Sequence, residues 1–194
     1  NQTALFIALG TGNTIQNVDN QTYRKDWVVY VTDSNGVAVN GVTLTIKVIP
    51  THYLTGELFY DDANSVWVYA APINVCRNED QNTNGVLDGG EDDNTDGVLW
   101  PGNVIAVTPG TVQTVNGSAT ISLTYAESYA PWVRVRLTAS ATVTGTESRT
   151  NQEFIVGGSA ADFGTKANPP AGVVSPFGTG PKPGAVCAAY PALP

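Results

Sequence analysis

Methionine is absent from this chain, histidine occurs once and cysteine twice, and lysine plus arginine reach only 9 residues against 17 carboxylates. Each shortage excludes something. A net charge of −8 argues against nucleic acid and anionic membranes as partners, since both are bound through basic patches that such a chain is not expected to carry. No C-x-x-C and no neighbouring histidine accompanies Cys76 or Cys187, so nothing points to zinc or dithiol chemistry. No apolar run approaches the roughly 18 residues of a membrane-spanning helix. No charged-then-apolar leader opens the chain, which is expected to be a mature form or a fragment of something longer. A 3.6-residue apolar stripe is missing, so helix should be minimal, and no repeat at a fixed period suggests a solenoid or propeller.

What is present favours strands and turns: Thr, Val, Gly and Asn dominate. The 194 residues suffice for one large β domain or two small ones with a real core. Period-two alternation marks strands at 3–9, 26–32, 42–49, 53–60, 65–71, 104–108, 118–125, 131–143 and 153–156. Asp33-Ser34-Asn35-Gly36 and Asp61-Asp62-Ala63-Asn64 read as turns between them. Val42, Leu44, Ile46 and Val48 share a face, as do Ala119, Ile121, Leu123 and Tyr125. In the longest run Val133, Val135, Leu137, Ala139, Ala141 and Val143 face inward while Arg134, Arg136, Thr138 and Ser140 face out. Short strands separated by turns predict an all-β, antiparallel Greek-key sandwich over residues 1–156. Residues 157–194 turn to Gly, Pro, Ala and Ser, a composition normally called a linker. Because Cys187 lies inside this tail, a long-range disulfide to Cys76 would pin it across the domain; two free buried thiols are the alternative.

Carboxylates crowd into one insertion, residues 76–103: Glu79, Asp80, Asp88, Glu91, Asp92, Asp93 and Asp96. A solvated loop would impose no order on them. Residues 80–91 instead read D-x-N-x-N-G-x-x-D-x-x-E, the spacing of a twelve-residue calcium loop. Asp80, Asn82, Asn84 and Asp88 offer side-chain oxygens, Val86 its carbonyl and Glu91 a bidentate closure, with Gly85 at the sharp turn. A second half follows with Asp92, Asn94, Asp96 and the Val98 carbonyl; Gly97 is in its turn place and Leu99 in its apolar place. Its twelfth place is Asn103, so a second ion would be held more weakly or share Glu91 or Asp88. The flanks are not helical, and the insertion resembles the calcium loops of dockerins and thrombospondin type 3 repeats, used as structural clips. A sensor that opens a helix pair is not expected.

Two further stretches carry a family likeness. Val31-Thr32-Asp33 through Gly36, Val39, Gly41 and Val42 resembles the V-T-D-x-x-G-x-P-V-x-G-V hairpin of bacterial Ig-like group 1 domains, the invasin and intimin type, with Ala38 where Pro is usual. Asn116, Gly117, Ala119, Leu123 and Thr124 resemble their N-G-x-A-x-x-x-L-T strand. The likeness covers roughly residues 3–156. It implies an Ig-like sandwich from the rod or tip of a surface adhesin, without catalysis.

For catalysis the chain offers only His52, at a strand end, and no G-x-S-x-G context. The carboxylates that might form a glycosidase pair are mostly committed to the acidic insertion. The expected function is a non-enzymatic, extracellular, calcium-stabilised structural or adhesive module of a bacterial surface protein. Its partners would be other protein chains, and as a fibre subunit its 3–9 strand would pair with a neighbour's sheet edge. The alternative is a carbohydrate-binding module using tryptophan faces. Of Trp27, Trp67, Trp100 and Trp132, three fall in strand-like segments that core packing would use, and Trp100, beside the acidic insertion, is the candidate for stacking.

Overall fold

A computed structural model describes residues 4–143 and 146–194, without the side chains of 142, 143, 146 and 147. The expected strand position of Thr3 and the inward orientation of Val143 lie outside what is described. The elements in chain order are β1 (Phe6–Thr11), β2 (Gln16–Asn17), β3 (Thr22–Thr32), β4 (Thr43–Asp61), β5 (Val66–Arg77), β6 (Ile105–Thr108), β7 (Thr111–Gln113), β8 (Ser118–Ala126), β9 (Val133–Val143), β10 (Thr146–Ile155), a single-turn helix α1 (Ala160–Phe163) and β11 (Cys187–Ala189).

Two antiparallel sheets form the sandwich. One runs β1-β3-β8-β6 with β2 beside β3, and the other β10-β9-β4-β5-β11 with β7 beside the start of β4. Relabelled in the immunoglobulin order, these are A-B-E-D facing G-F-C-C′, an Ig-like Greek key. Alternate residues explain the packing. Trp27, Val29 and Val31 of β3 and Ile121 and Leu123 of β8 face Leu44 and Ile46 of β4 and Val133, Val135, Leu137, Ala139 and Ala141 of β9, all buried in one core. Each such Val, Leu or Ile contributes about 1.5–3 kcal/mol by leaving water. The two motif stretches meet in space: the Val31 N–H donates to the Gly117 carbonyl at 2.8 Å and the Gly117 N–H to Asn40 Oδ1 at 2.9 Å.

Several elements differ from their sequence outlines. The segments 42–49 and 53–60 form one strand, because bulges at Pro50–His52 and Thr55–Glu57 let β4 bend instead of ending. β10 extends the expected 153–156 back to Thr146; its polar sequence hides a strand that is exposed on its outer face. β2, β7 and β11 are short ladders that alternation does not reveal. β1 starts three residues and ends two residues later than the expected 3–9, and pairs with β3 of its own chain, Phe6 opposite Thr32.

The stretch after Val156 is woven into the second sheet. Where β9 stops pairing with β4 at Tyr53, the Leu58 N–H donates to the Val173 carbonyl at 2.7 Å and the Gly56 N–H to the Gly178 carbonyl at 2.9 Å. Phe177 is buried against Tyr53, Trp100 and Tyr129. Farther on, β11 pairs with β5, with Cys187 opposite Cys76 in the register, and the two cysteines are joined as a disulfide.

Candidate metal centre

The acidic insertion hangs between β5 and β6 and is a tandem of twelve-residue units. Glu79-Asp80-Gln81-Asn82-Thr83-Asn84-Gly85-Val86-Leu87 repeats as Glu91-Asp92-Asp93-Asn94-Thr95-Asp96-Gly97-Val98-Leu99, with seven of nine places identical. Equal sequence gives equal turns. Asp80 accepts the Asn84 N–H at 3.1 Å and the Gly85 N–H at 2.9 Å; Asp92 accepts the Asp96 N–H at 3.0 Å and the Gly97 N–H at 2.9 Å. Asn84 Oδ1 accepts the Val86 N–H at 2.7 Å and Asp96 Oδ1 the Val98 N–H at 2.9 Å. Gly85 and Gly97 share a φ of +75°, a left-handed turn that favours glycine.

The two units close each other. Glu91 Oε1 accepts the N–H groups of Gln81 and Asn82 and its Oε2 that of Asp88, each at 3.2 Å. Glu79 does the same for the second unit: Oε1 accepts the amide of Asn94 at 2.9 Å and Oε2 the N–H of Trp100 at 2.9 Å. Asn82 and Asn94 are the third residues of their loops, and Asp88 and Trp100 the ninth. Glu79 thus stands where Asn103 would have to stand, although it was not among the residues expected to close a loop. The signal was the repeat itself, in which Glu79 precedes Asp80 as Glu91 precedes Asp92; two units are too few to register as a period. Both glutamates are sunk in the protein, at 1% and 6% exposure.

All the residues assigned to the first loop, Asp80, Asn82, Asn84, Val86, Asp88 and Glu91, lie within that unit. Asp92, Asn94, Asp96 and Val98 lie within the second. Burial pushes the Glu79 carboxyl up, and the Asp96 and Asp92 charges add to this against the hydrogen bonds from Trp100 and Asn94. Asp88 is held below its ordinary value by the amides of Asn82 and Asn84, which both donate to its Oδ2. Asp96 is lowered first by its hydrogen bond from Lys182. Among the described residues no three Asp, Glu, His or Cys side chains gather as a metal cluster; the oxygens are strung along the loops and mixed with amides. The donor set nevertheless fits a hard divalent cation, because it is all oxygen and gives six donor residues to the first unit and five to the second. Calcium takes six to eight oxygens and accepts water for the remainder.

The base of the insertion is clamped from three sides. Arg77 donates twice to Asp93, at 2.7 Å each. Asn78 donates its backbone N–H to the Thr51 carbonyl and its side chain to that of Pro50, at the β4 bulge. From the tail, Lys182 donates to Asp96 and lies 3.8 Å from the centroid of the Trp100 ring. Trp100 also packs on Tyr53 and Phe177, so aromatic and cationic neighbours surround the residue considered for stacking. Trp27 and Trp132 are core residues. His52 is half-buried beside Thr51, and burial, with the Arg134 charge, lowers its basicity.

No family model and no curated protein matches the chain. Among solved structures, it is similar to a crystal structure of the yeast GGA1 GAE domain, at 10% identity over 80% of this chain and 95% of that one, with a TM-score of 0.30. A likeness at that level carries no argument.

Proposed function

We propose that the chain is a non-enzymatic, calcium-stabilised Ig-like module of the extracellular face of a bacterium, serving as a rod or adhesive unit of a surface protein. The reciprocal closure of the two acidic units by Glu91 and Glu79 carries the calcium half of this reading. Two carboxylates buried beyond nine-tenths are costly unless a cation meets them. Each faces a loop of oxygens in the calcium spacing. Glu91 would complete the first shell with Asp80, Asn82, Asn84, Val86 and Asp88, and Glu79 the second with Asp92, Asn94, Asp96 and Val98. The ion would supply charge neutralisation and cross-linking, and the residues would hold the insertion in one shape. The Cys76–Cys187 disulfide suits an oxidising compartment. The adhesive half rests on the likeness of 31–42 and 116–124 to group 1 bacterial Ig-like domains.

Isothermal titration with calcium after exhaustive chelation tests the proposal. Uptake of two ions, or one, with a rise in Tm supports it. No heat of binding and an unchanged Tm would remove calcium from the account.

A further inference from the structure

The outer face of the second sheet concentrates positive charge in an acidic molecule. Lys47 on β4 and Arg134 and Arg136 on β9 point away from the core, because they alternate with the buried positions of those strands, and Arg149 on β10 is exposed between the half-buried Ser148 and Thr150. The register sets Lys47 opposite Thr138, Arg136 opposite Glu153 and Arg149 opposite Ser140. At the spacing of adjacent strands Lys47 stands about 8 Å from Arg136 and about 12 Å from Arg149, backbone to backbone, with Arg136 and Arg149 about 14 Å apart across the same face. Glu153 of β10 lies among them. It bonds Arg134 at 3.0 Å and Arg136 at 2.7 Å, fixing both guanidinium groups. Lys47 makes no ion pair among the described residues.

The face is concave as well as cationic. A trough of about 500 Å³ runs over it, and Thr83, at the tip of the first acidic unit, forms one wall. Besides Lys47, Arg136 and Arg149, and the Glu153 carboxylate that Arg136 holds, its lining offers the hydroxyls of Thr45, Thr138 and Ser140 and the amide of Asn151; Ile49 is its one hydrocarbon side chain. Such a lining has no apolar anchor for a peptide side chain or a helix and no aromatic ring on which a nucleobase could stack. It has fixed cations and many neutral hydrogen-bonding groups, in a volume typical of ligand sites.

From this charge complementarity we infer that the trough binds an anionic glycan, with sulfate or uronate groups on Lys47, Arg136 and Arg149 and sugar hydroxyls on the Thr, Ser and Asn groups. The inference gives the adhesive reading its partner class and rests on it; the cations belong to the sheet and not to the calcium loops. The test uses the full chain in saturating calcium, with heparin carrying sulfates, polygalacturonate carrying only carboxylates, and dextran as the neutral polymer. Binding to either polyanion but not to dextran, weakening as salt rises, is expected. K47E should weaken it about tenfold or more, and K47R should restore it. Melting temperature and calcium uptake report folding separately; Lys47 is exposed, so both should match the unaltered chain, and K47Q replaces K47E should the reversed charge unfold it. Absence of binding to both polyanions, equal binding by K47E and K47Q, or equal affinity for random duplex DNA would overturn the assignment. Loss of calcium uptake with glycan binding intact would instead sink the calcium reading alone.

Discussion

Two glutamates of different fate illustrate how single residues report on this fold. Glu79 is buried where hydrogen bonds converge from the second acidic unit, and Glu79→Gln keeps its shape while removing its charge. Native mass spectrometry should show E79Q taking up one calcium fewer than the unaltered chain, while E91Q should lose the ion of the first unit; equal uptake by all three would refute reciprocal closure. Glu127, at 8% exposure, has a buried Oε1 without a hydrogen-bond partner among the described residues. Burial first, then the charges of Asp162 and Asp19, push its carboxyl above the ordinary 4.5. The folded state therefore binds this proton more tightly than the unfolded one. The stabilisation is full below the unfolded value of about 4.5 and lost as pH rises through the raised native value. E127Q should accordingly be the more stable protein at pH 7 to 8, its advantage shrinking on acidification; a Tm difference independent of pH would contradict the burial argument.

Among elements, the long bent strand β4 organises the rest. It pairs with β9 and β7 early and with β5 late, and its bulges turn its far half toward the tail. That far half would be an open edge if residues 173–178 did not bond it. The Cys76–Cys187 link spans 111 residues, a separation for which chain entropy predicts about 4–5 kcal/mol of stabilisation. Replacing both cysteines by serine should cost about 2–5 kcal/mol in urea unfolding and expose the tail to proteases; full stability with an intact tail would mean that hydrogen bonds and Phe177 alone hold it. The hairpin at Asp33–Gly36 and the inward row of β9 were legible because turn chemistry and strict alternation are local properties. β2, β7, β11 and the N-terminal part of β10 were not, since short or polar ladders owe their existence to the neighbour they pair with.

On the scale of the whole molecule, the sandwich and the acidic insertion are joined at one end, where β5, the β4 bulge and the tail converge on Arg77, Asn78 and Lys182. Calcium removal should therefore be felt globally. An ion present at about 100 times its Kd contributes about 2.7 kcal/mol, so a chelator should lower Tm by about 5–10 °C for a chain of this size. An unchanged melting curve would show the insertion to be thermodynamically separate from the core.

By itself the sequence determined the class of fold and the first acidic unit, because alternation of side chains and the spacing of oxygens in a turn are written within a few consecutive residues. Tertiary structure alone decided that Glu79 closes a loop whose first residue lies 13 places downstream, that residues 173–178 bond the far half of β4, and that Lys47, Arg136 and Arg149 from three strands share one trough. Those relations join residues distant along the chain, and they exist only once sheet register has brought their backbones side by side.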